Sequence, residues 1–413
     1  MTVVDTIAGL SAFDRRGPGS DSERRAAVWL RDELSAGGRT AQLEPFWCRP
    51  NWALAHSWHA LLGLAGGLVA VSDATVGGAM VLAALLCIVL DAVTGHSPGR
   101  RLTPERASQN VVLRREDAPA DPLLAGRVRL ILTANYDAGR MGVVYRDGPR
   151  RIAARFHRLT DGRAPGWLAW LVLSLWWLLV VAVARRNGAH GTAIGLVQLP
   201  PTIGLVLVVA LLLELAGAPP GPAAADNASG VAVTLALARA LEASAPSRLE
   251  VEVVLAGAGE GGGIGLRRHL RGRRHDPGKA VVLGISPCGA GAPRWWRSDG
   301  ALLPFAFHSR LRAMCARIAG EEPELHLDGH RGRGATPALP ARIASLPAIA
   351  IGCLDARGLA PRSHQPGDTA AAVDRGAVDA TLEFALMLVD AIDAEMALSA
   401  GEPSGAAPSL TTA

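Results

Sequence analysis

The sequence predicts an α/β fold with a mixed, mostly parallel sheet flanked by helices and interrupted by two transmembrane helical hairpins. From Asp226 onward, strand patterns alternate with helix patterns, as they do in parallel sheets covered by helices. Two pairs of long apolar runs precede that region. Hydrophobic residues make up 49% of the chain and charged residues 19%, which is apolar for a water-soluble protein.

The charge distribution does not indicate a nucleic-acid partner. The formal net charge is +5, and Lys279 is the only lysine, so arginine carries almost all of the positive charge. The basic residues form no dense stripe with interleaved aromatic residues. The 5 cysteines are odd in number and none has C-x-x-C spacing, which predicts free thiols in a reducing compartment. Residues 1–16 show no signal-peptide pattern.

The first 95 residues contain the start of the domain and the first hairpin. A flexible start is expected before Ser22, where a helix pattern begins, and a short strand pattern covers residues 40–47. Within 52–95, two apolar runs at 53–71 and 76–93 are separated by a short polar break. Each run approaches the ~20 residues that cross a bilayer, so we expect a transmembrane hairpin and a lipid bilayer as partner.

The second hairpin is expected within residues 165–217. Its first run, 167–184, is uncharged and carries four tryptophans, and its second run, 192–216, contains Pro200-Pro201 and Glu214. With the first hairpin this gives a multi-pass membrane protein with four transmembrane helices.

The remaining segments form one α/β domain. Residues 1–51, 96–164 and 218–398 supply its three parts, and the Ala/Ser/Gly/Pro-rich tail 399–413 is expected to be disordered. The predicted strands of the last two parts are 110–113, 128–133, 249–255, 280–285 and 348–351. The predicted helices of the last part are 229–243, a basic helix that follows the loop 256–263 and ends near 271, and the segments 305–318 and 378–396. Residues 286–304 are expected to form a Gly/Pro-rich loop, and the Arg-rich segment 145–163 is given no element.

The domain is expected on the cytoplasmic face of the membrane. Each hairpin returns the chain to the side it left, so all three parts of the domain lie on one side. Near the membrane that side carries more arginine than the hairpin tips, which hold Arg185 and Arg186 together with Asp73. The arginines on the domain side are Arg100, Arg101, Arg155, Arg158 and Arg163.

Four side chains follow strand ends or precede helices, where α/β sheets bind ligands. They are Asp137, Asp226, Glu260 and His364. Two carboxylates and an imidazole suit a zinc ion that keeps a position open for water. Taken singly, each has an ordinary structural role: Asp226 as a helix cap, Asp137 as a turn former, Glu260 as a loop carboxylate and His364 as a surface residue.

The order of these motifs resembles the co-catalytic zinc aminopeptidases and carboxypeptidases, the relatives of aminopeptidase Y and glutamate carboxypeptidase. The resemblance implies a zinc-exopeptidase-like fold and a peptide or peptide-like ligand. The segments that carry it are Asn135-Tyr136-Asp137, Asp226-Asn227-Ala228-Ser229-Gly230, Gly259-Glu260, Ser286 and His364-Gln365-Pro366-Gly367-Asp368-Thr369.

The resemblance also shows which parts of that site this chain lacks. It implies one zinc ion on Asp226, Glu260 and His364. The ligands of a second zinc are replaced by Asn135 and Ser286, an amide and a hydroxyl that bind zinc weakly.

The general base of the family falls at Gly259, which has no side chain, so no catalytic residue is assigned. Asp137 and Asp368 fall at positions that orient metal ligands. We therefore predict a membrane-anchored metallopeptidase-family protein with reduced or no peptidase activity, that is, a pseudoenzyme.

Other functions fit parts of the same sequence. One is an active mono-zinc aminopeptidase or other hydrolase that uses a different base. Another is a non-enzymatic membrane scaffold or binding protein. A transporter-like role for the hairpins is disfavoured, because they contain few ionisable residues. These residues are His56, His59, Asp91 and Glu214.

Two competing motifs are weaker. Residues 257–262 fit G-x-G-x-x-G after a strand, as in dinucleotide sites, but the next strand ends without an acidic residue for the ribose. Residues 284–288 approach the G-x-S-x-G elbow of serine hydrolases, but Cys288 replaces the second glycine and no helix pattern follows.

Overall fold

The structure is a computed structural model that describes residues 2–36, 39–114, 127–272 and 280–401. A nine-stranded sheet forms the centre of the described part. Its strands are β1 (Ala41–Cys48), β2 (Arg106–Leu113), β3 (Val128–Asn135), β4 (Leu249–Ala256), β5 (Ala280–Ile285), β6 (Ala292–Asp299), β7 (Phe305–Ala306), β8 (Asp328–Arg331) and β9 (Ala348–Leu354).

Helices cover the sheet and form a separate bundle. In the described segments they are α1 (Val3–Ser11), α2 (Asp21–Ser35), α3 (Trp52–Val69), α4 (Ala74–Thr94), α5 (Pro98–Arg101), α6 (Asp147–Leu159), α7 (Trp167–Arg186), α8 (Thr192–Gly217), α9 (Ser229–Ala243), α10 (Ile264–Gly272), α11 (Ser309–Glu321), α12 (Leu339–Ile343) and α13 (Arg375–Gly401). The chain is therefore mixed α/β, with helices flanking the sheet.

The strand order is β1-β2-β4-β3-β5-β9-β6-β7, with β8 paired to β6. The pairs β3–β4, β3–β5, β5–β9 and β6–β8 are parallel. The pairs β1–β2, β2–β4, β6–β7 and β6–β9 are antiparallel. The sheet is thus mixed: the parallel pairing expected from the sequence holds for the four central strands and for β6–β8, and the other four pairs are antiparallel. Helix–strand alternation reveals parallel crossovers, but it does not show how edge strands join them.

Apolar runs explain why the central strands are buried. Leu130, Ile131 and Leu132 of β3 are almost completely inaccessible, because helices cover both faces of a parallel sheet. The same core includes Val231 and Leu235 of α9, which packs on the sheet.

Three segments differ from the prediction. Residues expected to be a flexible start contain α1, which has a capping box between Thr2 and Asp5. The expected loop at 286–304 contains β6, in which Trp295 and Trp296 are buried. The Arg-rich segment contains α6. The predicted disordered tail lies outside the described residues from position 402 onward, and α13 covers residues 399–401.

Helices α3, α4, α7 and α8 pack into a four-helix bundle. Their shared core includes Ala60, Val81, Leu171 and Leu205. Of these helices, α4, α7 and α8 are long and apolar enough to cross a membrane, and α3 is not among the helices that meet this criterion. Their outer faces expose many valine, leucine and tryptophan side chains, which suggests membrane association. Four spans in two membrane hairpins stay a prediction.

The chain leaves the domain to form the bundle and returns to the domain at adjacent positions. Cys48, the last residue of β1, pairs directly with Arg106, the first residue of β2. On the other side, Arg140 forms an isolated antiparallel bridge with Pro220. Both excursions into the bundle therefore begin and end at neighbouring backbone segments.

A buried ion pair joins the bundle to the domain. The Arg100 guanidinium lies 2.7 Å from the Asp91 carboxylate at the end of α4. The same guanidinium donates to the carbonyl oxygens of Arg49, at 2.9 Å, and Gly261, at 3.2 Å. Arg100 thus links a bundle helix to the loop between β4 and α10.

Helix α10 also contacts the end of α4. Arg267 donates to the carbonyl oxygen of Val93 at 3.0 Å, and Arg271 donates to that of Thr94 at 2.6 Å. These carbonyls belong to the last turn of α4 and have no partner within the helix, so the arginines act as a C-terminal cap.

Candidate functional site

Three neighbouring parallel strands end at the same edge of the sheet. Asn135 ends β3, Gly259 and Glu260 follow β4, and Ser286 follows β5. Because β3 lies between β4 and β5, these residues come together, as expected for a parallel sheet. They line a cavity of about 540 Å³. Asp226 and His364 line the same cavity.

Asp226 lies in a π-helical turn, Ala224–Ala228, immediately before α9. Its backbone is not helical (φ −127°, ψ 87°), and no side chain caps α9, so the helix-cap alternative is wrong. The Asp226 carboxylate instead accepts hydrogen bonds from the hydroxyl groups of Ser363, at 2.5 Å, and Ser286, at 3.3 Å. It therefore faces the cavity.

Asp368 holds the backbone of this turn from behind. Its carboxylate accepts the N–H groups of Ala225, at 2.6 Å, and Asp226, at 3.2 Å. Burial raises the pKa of Asp368 to about 7. The structure thus places the Asp368 carboxylate against the backbone of Ala225 and Asp226.

His364 is held by three neighbours. Its backbone is left-handed (φ 57°). Its ring stacks on Tyr145, with ring centroids 4.1 Å apart. Its Nδ1 lies 3.0 Å from the carbonyl oxygen of Arg140, so Nδ1–H donates there and Nε2 carries the lone pair. A side chain at position 139 would overlap the imidazole, which requires Gly139 at this close approach.

Nε2 of His364 lies 3.6 Å from Oε2 of Glu260. Burial lowers the pKa of His364, so the imidazole is neutral at pH 7 and this contact is not an ordinary ion pair. Burial, followed by the charges of Asp226 and Asp137, raises the pKa of Glu260 well above its usual range. The lone pair of a neutral His364 therefore faces a carboxyl group whose burial favours the protonated form, and this arrangement fits either that proton or a cation between the two atoms.

Asp137 lies behind the loop that carries Glu260. It is fully buried and accepts the N–H groups of Gly259, at 2.8 Å, and Glu260, at 2.9 Å. Burial raises the pKa of Asp137 to about 6. Because these amides bind a carboxylate, they are not available to a pyrophosphate, and the dinucleotide alternative is wrong.

Gly259 and Asn135 are in direct contact. A Cβ atom at position 259 would overlap the amide of Asn135. The absence of a side chain at 259 and the amide at 135 are therefore structurally matched. The conformation seen here has no space for a glutamate at 259.

Ser286 has a structural partner and no hydrolase geometry. Its hydroxyl donates to Asp226, and β6 follows it in place of the helix that a nucleophile elbow requires. Gly230 allows α9 to approach this point, because a Cβ there would lie 2.5 Å from the carbonyl oxygen of Ile285. The serine-hydrolase alternative is thus wrong.

The donor set fits zinc in chemistry and partly in spacing. Two donors on one tetrahedral zinc ion lie roughly 3.3–3.6 Å apart, as Nε2 of His364 and Oε2 of Glu260 do. Within the described residues, no three His, Cys, Asp or Glu side chains are close enough together to hold a metal ion as placed. Asp226 is the ligand that does not join the cluster, because two serine hydroxyls bind its carboxylate.

Sequence reasoning missed three neighbours of the site. Ser363 binds Asp226, Tyr145 stacks on His364, and the carbonyl group of Arg140 fixes the imidazole. Ser363 precedes a recognised motif, so its proximity was a usable signal. Tyr145 and Arg140 are more than 200 residues from His364 in sequence, and no local sequence pattern indicated their contact with it.

Comparison with known families gives a match over the second half of the chain. Residues 214–389 match peptidase family M28. This segment contains Asp226, Glu260 and His364. No curated protein sequence matches the chain significantly.

Solved structures share the fold at low sequence identity. BSAP, a zinc aminopeptidase from Bacillus subtilis, is 13% identical, with a TM-score of 0.54 over 94% of this chain and 94% of that chain. An aminopeptidase from Aneurinibacillus sp. strain AM-1 is 13% identical, with a TM-score of 0.52 over 94% and 92%. Porphyromonas gingivalis glutaminyl cyclase is 14% identical, with a TM-score of 0.51 over 95% and 97%. The chain therefore has a zinc-aminopeptidase-like fold, on which more than one activity is found.

Proposed function

We propose that the chain is a membrane-anchored metallopeptidase-family protein that binds one zinc ion and has little or no peptidase activity. Asp226, Glu260 and His364 are the proposed ligands. In this proposal, the ligand set derives from that of the aminopeptidase Y and glutamate carboxypeptidase relatives. The proposal includes four membrane helices, a domain on the cytoplasmic face and a peptide-like ligand.

The contact between His364 and Glu260 carries the proposal. The hydrogen bond from Nδ1 to Arg140 leaves Nε2 as an acceptor, 3.6 Å from a carboxylate oxygen. A histidine whose other nitrogen donates to a backbone carbonyl is the usual arrangement at zinc sites. A zinc ion between the two groups would neutralise the buried carboxylate and use the free lone pair.

Reduced activity follows from the residues next to this site. Bound zinc supplies Lewis acidity to an adjacent water or carbonyl group. Gly259 offers no base, and Asn135 and Ser286 are poor ligands for a second ion. Loss of a general base alone typically lowers a rate by ~10²–10⁴.

Metal analysis of the purified full-length protein tests the proposal. We expect about one zinc per chain by mass spectrometry, and its loss in His364→Ala and Glu260→Ala. His330→Ala is the matched control, because His330 lines the same cavity and is not a proposed ligand. Zinc that is absent from the wild type, or retained in both ligand variants, would refute the site.

Hydrolysis assays separate the proposal from an active mono-zinc hydrolase. We expect no turnover of aminoacyl-anilides above background. Turnover that disappears in His364→Ala would show an active enzyme that uses a different base.

A further inference from the structure

The cavity of the candidate site continues to the ends of the bundle helices. Glu260 and His364 line it at one end, and Trp52 of α3, Val93 of α4 and Trp167 of α7 line it at the other. Its volume of about 540 Å³ is that of a pocket for a ligand of drug-like size. A metal ion and a water molecule would occupy only a small part of it.

A loop of the domain completes the apolar end of the cavity. Ala301 and Leu302 line the cavity and pack against the bundle core. The carbonyl oxygen of Ala301 accepts the N–H group of Ala169 at 3.3 Å, which attaches the loop to the first turn of α7. Leu303 also lines the cavity, and its side chain is 57% exposed.

The aromatic residues at the bundle end of the cavity indicate where this end lies relative to the bilayer. The rings of Trp52 and Trp167 lie 5.3 Å apart, where α3 and α7 begin. Tryptophan concentrates at membrane–water interfaces, so in the proposed membrane placement this end of the cavity lies at the level of the lipid headgroups. The charged end lies farther into the domain.

We infer that the ligand is a peptide-like molecule with a long apolar chain that enters from the bilayer. Its polar end reaches Glu260 and His364, and its apolar chain lies along Leu303 and the tryptophans. This inference rests on the proposed function and names the class of ligand for the same site.

Binding of a ligand series to the full-length protein in lipid nanodiscs tests the inference. The probes are the butyl, octyl and dodecyl amides of dialanine, and binding is measured by quenching of tryptophan fluorescence, corrected with empty nanodiscs. Each pair of buried methylene groups raises affinity by roughly tenfold when fully desolvated. We expect the dodecyl amide to bind at least tenfold more tightly than the butyl amide.

Two variants locate the effect in the cavity. Leu303→Glu is expected to abolish most of the gain with chain length and to leave the zinc content unchanged. Leu102→Glu is the matched control, because Leu102 is exposed and lies outside the cavity lining. A dialanyl peptide that continues into a leucine-rich segment is compared with the dodecyl amide. Tighter binding of that peptide would identify the apolar part of the ligand as peptide, and tighter binding of the amide would identify it as an alkyl chain.

The outcomes separate this inference from the proposed function. Equal affinity for the three amides, or no binding while zinc is retained, would overturn the inference alone. Absence of zinc would refute the proposed function whatever the amides do. An equal loss in Leu102→Glu would also overturn the assignment to the cavity.

A second inference rests on α6, outside the cavity lining. Ile152, Phe156 and Leu159 are 70%, 43% and 84% exposed and form one stripe, at spacings of four and three residues. Ala154 is buried on the other side of the helix. The exposed part of α6 also carries arginines, at positions 151, 155 and 158.

The position of α6 indicates what covers this stripe. Phe156 contacts Trp170 in the first turns of α7, with ring centroids 6.2 Å apart. An apolar stripe beside arginines and next to a membrane helix is typical of a helix that lies in the plane of a bilayer with anionic lipids. We infer that α6 lies in the headgroup layer and binds anionic phospholipid.

Hydrogen exchange of the full-length protein in nanodiscs tests this inference. We expect the α6 amides to exchange at least threefold more slowly in phosphatidylglycerol than in phosphatidylcholine. Changing Arg151, Arg155 and Arg158 to Gln should remove the difference. The matched control changes Arg24, Arg25 and Arg31 of α2, which are also outside the bundle. Equal exchange in both lipids, or a difference that survives the α6 substitutions, would contradict the assignment.

Discussion

At the residue scale, Gly259 and Asn135 restrict which side chains fit at each other's position in the candidate site. They touch across the ends of two neighbouring strands, and a Cβ atom at 259 would overlap the Asn135 side chain. Placing a carboxylate at 259 therefore requires a change at 135 as well. The two positions form one structural unit.

A double-mutant cycle tests this coupling. We expect Gly259→Ala to lower the free energy of unfolding by ~1–3 kcal/mol, because an added methyl group in a packed site forces neighbours to shift. Asn135→Gly should restore most of that loss when it is combined with Gly259→Ala. The measurement is thermal unfolding of all four proteins in the same lipid nanodiscs. Additive effects of the two substitutions would contradict direct contact.

At the element scale, the loop between β4 and α10 is held from both sides. Asp137 binds its amides from the domain, and Arg100 binds the carbonyl oxygen of Gly261 while paired with Asp91 of α4. The position of Glu260 therefore depends on a bundle helix. The bundle therefore contributes to the geometry of the candidate site.

Neighbouring arginines provide a test of this dependence. Arg100→Gln leaves Asp91 buried without its cation, and breaking a buried pair in this way costs ~3–5 kcal/mol of unfolding free energy. Arg101→Gln is the control, since Arg101 is exposed and such changes stay within ~0.5 kcal/mol. Unfolding of both variants in lipid nanodiscs is the measurement. Equal losses of unfolding free energy in the two variants would show that the Arg100–Asp91 pair does not stabilise the protein.

The sequence predicts some of the strands more accurately than others. Continuous apolar strands such as β5 were predicted with the correct bounds, because burial on both faces leaves a clear pattern. Strand β6 was missed, because its flanking Gly and Pro residues resemble a loop and its pairing with β9 is not local. The motif order predicted which residues share the cavity. The stacking of Tyr145 on His364 was not predictable, because it depends on a tertiary contact between residues far apart in sequence.

At the scale of the whole molecule, buried ionisable groups make stability depend on pH. Burial, followed by the charge of Asp137, raises the pKa of Glu23 from 4.5 to about 8. Burial alone would lower the pKa of His269, but Glu252 and Glu44 raise it from 6.5 to about 9. Both groups bind a proton more tightly in the folded state. Each stabilises the fold fully below its ordinary pKa and loses that contribution as pH rises through its folded value.

We therefore expect the midpoint of thermal unfolding to fall as pH rises from about 6.5 to about 9, where Glu23 and His269 both lose protons in the folded state. Glu23→Gln should reduce the slope between about 4.5 and 8, because the variant has no proton to release. Calorimetry across this range on metal-free protein is the measurement. A midpoint that rises with pH would contradict the expectation.

Sidedness is the second prediction at this scale. The domain is expected in the cytoplasm, so a cysteine at the exposed hairpin tip, Asn187→Cys, should react with an impermeant maleimide on intact cells. Glu321→Cys, on the domain surface, should react only after permeabilisation. Four of the five native thiols, Cys48, Cys288, Cys315 and Cys353, are buried, and Cys87→Ser removes the fifth, which is half-buried. Labelling of position 321 on intact cells would reverse the orientation.

The adjacent exit and return points of the bundle allow the molecule to be divided. Because Cys48 pairs with Arg106, and Arg140 with Pro220, two short turns would reconnect the chain without stretching any strand. Such a shortened protein would keep Glu260 and His364, and it would lose Trp52, Trp167 and the ring of Tyr145 that stacks on His364. The bundle segments thus have the geometry of two insertions, each made between neighbouring backbone positions of the domain.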